Sequence, residues 1–226
     1  MKKNKILIIA AHPDDEVLGC GGLISKYKDT NEINIIFVSD GESSRKSNKK
    51  LIQKKISMRK KSSLNLCKKF NLNKPIFLNF PDNQIDSVPL LKIVQKLEKY
   101  LRIFKPNMVF THYENCLNID HRITFNAVVT ACRPIKNSFV KKIVSFEIPS
   151  STDWNLGKGR AFQPNYFIDI SSHINEKIKM IKFYKSELKK YPHSRSIKSI
   201  TSLASFRGVS CGTRYAEGFY LHRYVE

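Results

Sequence analysis

At 226 residues the chain is long enough to bury a core of its own without disulfide or metal staples, and its 41% hydrophobic share excludes a disordered polyelectrolyte. No apolar run approaches the roughly 20 residues of a membrane-spanning helix. Forty basic against 19 acidic residues leave a net charge of +21, but 30 of the 40 are Lys, spread along the chain, whereas phosphate grips that read geometry lean on Arg. The excess therefore points to anionic small substrates and to no dedicated nucleic-acid partner.

In chain order, Met1-Lys2-Lys3-Asn4-Lys5 before Ile6-Leu7-Ile8-Ile9-Ala10-Ala11 imitates a secretory leader. Its apolar part is too short and runs into His12-Pro13-Asp14-Asp15-Glu16, so it reads as a buried strand of a cytoplasmic protein. Strand-like runs occupy 6–10, 33–38, 75–78, 107–111, 141–146, 166–170 and 218–221. The first four are mostly Ile, Val, Leu and Phe with little alternation, as in strands covered on both faces. The basic stretch 43–61 reads as a loop running into a helix. Ser87 is placed to cap a helix whose apolar residues Leu90, Leu91, Val94, Leu97, Leu101 and Phe104 recur every three or four positions. A similar stripe, Ile174, Ile178, Ile181, Phe183 and Leu188, follows Ser171-Ser172. Strands alternating with helices predict a doubly wound α/β sheet, mostly parallel with helices on both faces, as one domain over 1–226. Five cysteines without a C-x-x-C pair argue against a disulfide framework and against a thiolate zinc knuckle.

Ligands of such sheets sit beyond the carboxyl ends of the strands. Those positions hold His12-Pro13-Asp14-Asp15-Glu16, Ser39-Asp40-Gly41-Glu42, Phe80-Pro81-Asp82-Asn83 and the segment from His112 to His121. A His-x-x-Asp pair alone reads as a brace for the first strand-to-helix turn. With a second carboxylate beside it and a third ligand available from Asn118-Ile119-Asp120-His121, it reads as a catalytic metal site, which needs three N or O ligands and one open position. Asp14 would then lie beside the ion without binding it, where a carboxylate takes the proton of an attacking water.

Ala11-His12-Pro13-Asp14-Asp15-Glu16 followed by Gly19-Cys20-Gly21-Gly22 resembles the signature of the LmbE/PIG-L family, zinc-dependent deacetylases of N-acetylglucosaminyl substrates. The resemblance continues through Ser39-Asp40-Gly41-Glu42, Arg59, Phe80-Pro81-Asp82, Asn118-Ile119-Asp120-His121-Arg122 and Pro192-His193-Ser194-Arg195-Ser196 to Ala216-Glu217-Gly218-Phe219. It implies a Rossmann-like fold, hydrolysis of an acetamide on a small-molecule sugar, His12, Asp15 and His121 as zinc ligands, and Asp14 as general base. Iron(II) or another divalent ion would suit the same ligands. Arg59 and Asp82 match positions that hold the sugar or its phosphate-bearing neighbour.

Two departures stand out. Where many members have His-x-x-His this chain has Asn118-x-x-His121, so Asn118 offers a hydrogen bond to an oxyanion but no proton. His193 or His112 is then the substitute acid, with His193 the choice. Ser62 stands where many members have Glu. Asp120 is expected beside the ligands or as the cap of the helix bearing His121, and Trp154 as packing or a sugar-stacking face. The leading reading is a metal-dependent N-deacetylase of an anionic or nucleotide-linked sugar, with homo-oligomerisation left open. Its rivals are a basic RNA- or membrane-surface-binding protein that has lost catalysis, and a hydrolase of a different amide.

Overall fold

Strand β1 (Lys5–Ala10) sends Ile6, Ile8 and Ala10 into one apolar cluster and Leu7 and Ile9 into another, the period-2 alternation of a strand covered on both faces. The computed structural model describes residues 4–135, 139–156 and 159–226, so the basic Met1–Lys3 prefix lies outside it. The other strands are β2 (Glu32–Ser39), β3 (Ile76–Phe80), β4 (Met108–His112), β5 (Lys142–Phe146), β6 (Tyr166–Asp169) and β7 (Ala216–Tyr224). They form one sheet in the order β3-β2-β1-β4-β5-β7-β6. The first five strands are parallel, and β7 runs antiparallel between β5 and β6.

Helices α1 (Asp15–Tyr27), α2 (Lys49–Lys69), α5 (Ile174–Ile181) and α6 (Ile197–Val209) feed the first cluster, through Leu23, Leu66, Met180 and Ile200 among others. Helices α3 (Leu90–Phe104) and α4 (Ile119–Ala131) close the other face through Ile93, Leu97 and Val128. The expected mostly parallel, doubly covered sheet is what the chain forms.

Three local readings need correction. Ser87 does not cap α3: it ends a short 3-10 turn over Ile85–Ser87, its hydroxyl donates to the Gln84 carbonyl at 2.7 Å, and Pro89 precedes the helix. The stripe after Ser172 stops at Ile181, where a 3-10 turn over Lys182–Tyr184 takes the chain off the helix axis before Leu188. Helix α6 is absent from the sequence reading, because Ile-Lys-Ser-Ile-Thr-Ser-Leu-Ala-Ser-Phe-Arg-Gly-Val has no clear apolar stripe and its start rests on the Ser196 hydroxyl accepting from Ser199 N.

The close packing of α1 explains its glycines. A Cβ on Gly19 would stand 2.5 Å from the Phe146 ring, and one on Gly22 would stand 2.5 Å from Ile170. Strand order reverses at β1, which pairs with β2 on one side and β4 on the other. The loops after β1 and β4 therefore face each other across the crevice where doubly wound sheets bind ligands.

Candidate active site

The β1–α1 turn sets the geometry. Asp14, just before α1, has φ 135° and ψ −28°, a region that costs a non-glycine residue about 1–3 kcal/mol. The conformation is held from both sides. Asp14 N donates to Glu16 Oε2 at 2.8 Å, and Glu16 Oε1 accepts from the Tyr184 hydroxyl at 2.6 Å. The Asp14 carbonyl accepts from Val17 N and Leu18 N. Burial pushes the Glu16 carboxyl up to about 8, with the Tyr184 hydrogen bond opposing.

The turn presents the Asp14 carboxylate to two guanidinium groups. Arg59 Nη2 donates to Oδ1 and Arg195 Nη1 to Oδ2, each at 2.9 Å. Burial raises Asp14 to about 6 against the pull of both arginines. Arg195 also donates to Ser150 Oγ at 2.7 Å and to Glu187 Oε2 at 3.2 Å.

Beside Asp14, the side chains of His12, Asp15 and His121 each offer a ligand atom within 4.8 Å of the others, all three buried. Asp15 Oδ2 accepts from His12 N at 2.9 Å, and Asp15 Oδ1 has no hydrogen-bond partner. His121 Nδ1 meets Cys116 Sγ at 3.1 Å, while its Nε2 makes no well-aligned hydrogen bond and lies 3.3 Å from Asp15 Oδ2. His12 Nδ1 lies 3.2 Å from Asp15, and Nε2 lies 3.0 Å from Asp120 Oδ2 and 3.2 Å from Asp82 Oδ1. Burial pushes the Asp15 carboxyl up, but His121, His112 and His12 outweigh it and hold the group well below the carboxylate range. Two nitrogens and an ionised oxygen, with Asp15 Oδ1 left without a hydrogen bond, form a donor set that fits a divalent ion. His12, Asp82 and Asp120 make a second convergent group sharing the same imidazole.

The remaining expected residues fall around this centre. Asn118 caps α4, its Oδ1 accepting from Asp120 N at 2.8 Å and its Nδ2 donating to Asn83 Oδ1 at 3.1 Å. Asp120 is therefore not the cap: its carboxylate accepts from Asn83 N and Ile85 N and meets His12. Asp82 faces His12 and also accepts from Ser44 Oγ; burial pushes its carboxyl up, but the His12 contacts prevail and bring it to about 2. Arg59 lies mid-helix in α2, which begins at Lys49, and is buried with its donors on the Pro13 and Gly41 carbonyls, Glu42 and Asp14. His193 sits against Trp154, ring centroids 5.3 Å apart, and its Nδ1 accepts from Arg195 N at 3.0 Å. His112 is wholly buried, accepts from Ala11 N through Nε2 at 2.7 Å and stacks on His121, so it braces the centre from below.

Glu187, Tyr184 and Cys116 carried no signal in the sequence. Glu187 and Tyr184 lie beyond α5 and come into place only through the tertiary fold, Glu187 against Arg195 and Arg59, the two arginines that hold Asp14, and Tyr184 against Glu16.

Residues 7–132 match the family described as PIG-L: GlcNAc-PI de-N-acetylase. A diacetylchitobiose deacetylase of Thermococcus kodakarensis is 27% identical over 233 residues, covering 95% of this chain and 81% of that protein. Among solved structures, the N,N'-diacetylchitobiose deacetylase of Pyrococcus horikoshii superposes with a TM-score of 0.78 at 23% identity, covering 97% of this chain and 84% of that one. The 4-carboxy-2-hydroxymuconate hydratase GalB of Pseudomonas putida superposes with a TM-score of 0.75 at 19% identity, covering 100% and 99%. One scaffold thus hosts hydrolysis and hydration, and likeness of fold alone decides neither. The match over 7–132 takes in the β1–α1 turn, Arg59, Asp82 and His121, and by it the chain belongs to the LmbE/PIG-L family.

Proposed function

We propose that this protein is a metal-dependent N-deacetylase that cleaves the acetamide of an N-acetylated sugar, with anionic or nucleotide-linked sugars preferred and the cytoplasm as its place of work. The observation that carries the reading is the convergence of buried ligand atoms of His12, Asp15 and His121 on one point, with Asp15 Oδ1 left without a hydrogen bond and His121 Nε2 facing only Asp15. In this reading His12 binds through Nδ1, because Asp120 takes its other nitrogen, and His121 binds through Nε2, because Cys116 takes its Nδ1. Zinc, or another divalent ion, would polarise the acetamide carbonyl and activate water.

The chain supplies the proton transfers. Asp14, raised to about 6 by burial, stands near the range of an efficient general base, and each of its oxygens keeps a lone pair beyond its arginine. It takes a proton from the attacking water and returns it toward the departing amine. Asn118 has a second N–H beyond the one given to Asn83, and we assign it to the oxyanion. His193, whose Nδ1 accepts from Arg195 N, carries its hydrogen on Nε2 and is assigned to hydrogen-bond and orient the leaving group, the proton itself coming from Asp14. Arg59 and Asp82, whose expected role is substrate binding, are assigned here to positioning Asp14 and His12, which they hold.

The test is acetate release from a panel of N-acetyl sugars, with metal analysis of the purified protein. His12→Ala, Asp15→Ala and His121→Ala should each lose the ion and the activity while keeping the fold. Stoichiometric metal in two of the three variants, or no acetate from any sugar, overturns the reading.

A further inference from the structure

A cavity of about 660 Å³ opens between the N-terminal half of α2 and the segment 183–187. Its wall includes Arg59, Glu42 and Glu187, so a single guanidinium separates it from the Asp14 carboxylate. Its charge is unbalanced. Glu42 and Glu187 are occupied by Arg45, Arg59 and Arg195 at 2.9 to 3.5 Å. Lys54, Lys55 and Lys185 also line the space and make no ion pair among the described residues. The floor is apolar: Leu51 and Met58 are 41% and 60% exposed there, next to Phe183. Three unpaired ammonium groups over such a floor suit a ligand with phosphate negative charge and a flat or apolar body. The volume falls in the range of small-molecule sites, about 300–1,000 Å³. Arg45 and Glu42 come from the loop after β2, on the same rim as the metal-binding residues.

We propose that this cavity holds the nucleoside-diphosphate portion of the substrate, with Lys54, Lys55 and Lys185 on the phosphates and Leu51, Met58 and Phe183 under the nucleoside. The proposal rests on the deacetylase reading and names the substrate class for it: a nucleoside-diphosphate N-acetyl sugar. A nucleotide here lies across Arg59 from the base, and its sugar must pass over the β2–α2 loop to reach the metal-binding residues on the same rim.

The experiment compares the parent with the double variant K54E/K185E, on UDP-N-acetylglucosamine and on the neutral N,N'-diacetylchitobiose, and titrates UDP into both proteins by calorimetry. Reversing two charges that meet phosphate should raise KM for the nucleotide sugar about tenfold or more and weaken UDP to the same degree. The kcat should stay within about twofold, since neither lysine touches the reacting atoms, and KM for the neutral disaccharide should not move. An equal change on both substrates, or none on either, overturns the proposal. If neither sugar releases acetate, the deacetylase reading is decided by the wider panel and UDP binding decides the cavity. Saturable binding that the variant loses supports it, and no binding to the parent overturns it.

Discussion

Asp14 and Asp15 are adjacent carboxylates with opposite surroundings. Burial wins at Asp14 and raises it to about 6, while three imidazoles win at Asp15 and keep it ionised. The arginines hold both Asp14 oxygens, one each, and so fix the plane of the carboxylate, which positions the group as well as tuning it. Asp14→Asn is nearly isosteric and cannot take up a proton. The kcat should fall by about 10²–10⁴ with metal content unchanged, as for a lost general base. Loss of the metal in this variant makes Asp14 a ligand, and full activity makes it a bystander. Arg195→Lys should restore part of the activity lost in Arg195→Ala, read as kcat with KM nearly constant, because an ammonium keeps the charge but reaches Asp14 without the Ser150 contact. At this scale the sequence was legible where chemistry is local: His12, Asp14 and Asp15 lie within one turn, and His121 lies in the first turn of α4, which topology brings opposite. Arg195 was visible only as part of a motif. Glu187 and Cys116 were not visible at all, since their meaning depends on which distant side chains they meet.

Helix α1 shows why an element can be legible while its packing is not. All seven strands could be read from short apolar runs, most clearly β1, β2 and β4, which are covered on both faces and apolar along most of their length. The glycines after the acidic turn gave no hint of what they admit. Gly21 and Gly22 admit the Lys177 and Ile170 side chains, which a Cβ would meet at 2.9 and 2.5 Å, and beside them Glu217 of β7 accepts from Gly22 N and Leu23 N, each at 2.7 Å. Lys177 of α5 donates to Glu217 at 2.6 Å and to the Leu18 carbonyl at 2.9 Å. This buried pair ties α1, α5 and β7 beneath the active site. Glu217→Ala would strand the Lys177 ammonium and two backbone N–H groups, a loss of about 3–5 kcal/mol. Urea unfolding should show it as a lower midpoint with little change in slope. A loss under about 1 kcal/mol would mean that Lys177 finds water or another partner.

At the scale of the molecule, strand order was not legible: nothing in the run 216–224 announces that β7 enters antiparallel between β5 and β6. The cysteines report on the intactness of that whole assembly. Cys67 lies on α2 against one face of the sheet, and Cys132 follows α4 against the other. Cys20 is buried on α1, and Cys211 is exposed. Burial pushes Cys67 and Cys132 up to about 12, so in the folded chain they are neither accessible nor nucleophilic at pH 8. In the unfolded chain their ordinary value is 9.0. A thiol reagent at pH 8 should therefore label Cys211 at once, and Cys20, Cys67 and Cys132 together at the rate of global unfolding. The sign of the linked stability follows from the same shift. Below pH 9 both thiols are protonated in either state and contribute nothing to the pH dependence. Above it the unfolded chain releases protons that the folded chain retains, so stability falls as pH rises toward 12. Replacing both by Ala should flatten the decline of the urea midpoint between pH 9 and 11 relative to the parent. Parallel declines in the two proteins would mean that the thiols titrate alike folded and unfolded, and separate labelling rates for Cys67 and Cys132 in the parent would mean that the two faces of the sheet open independently.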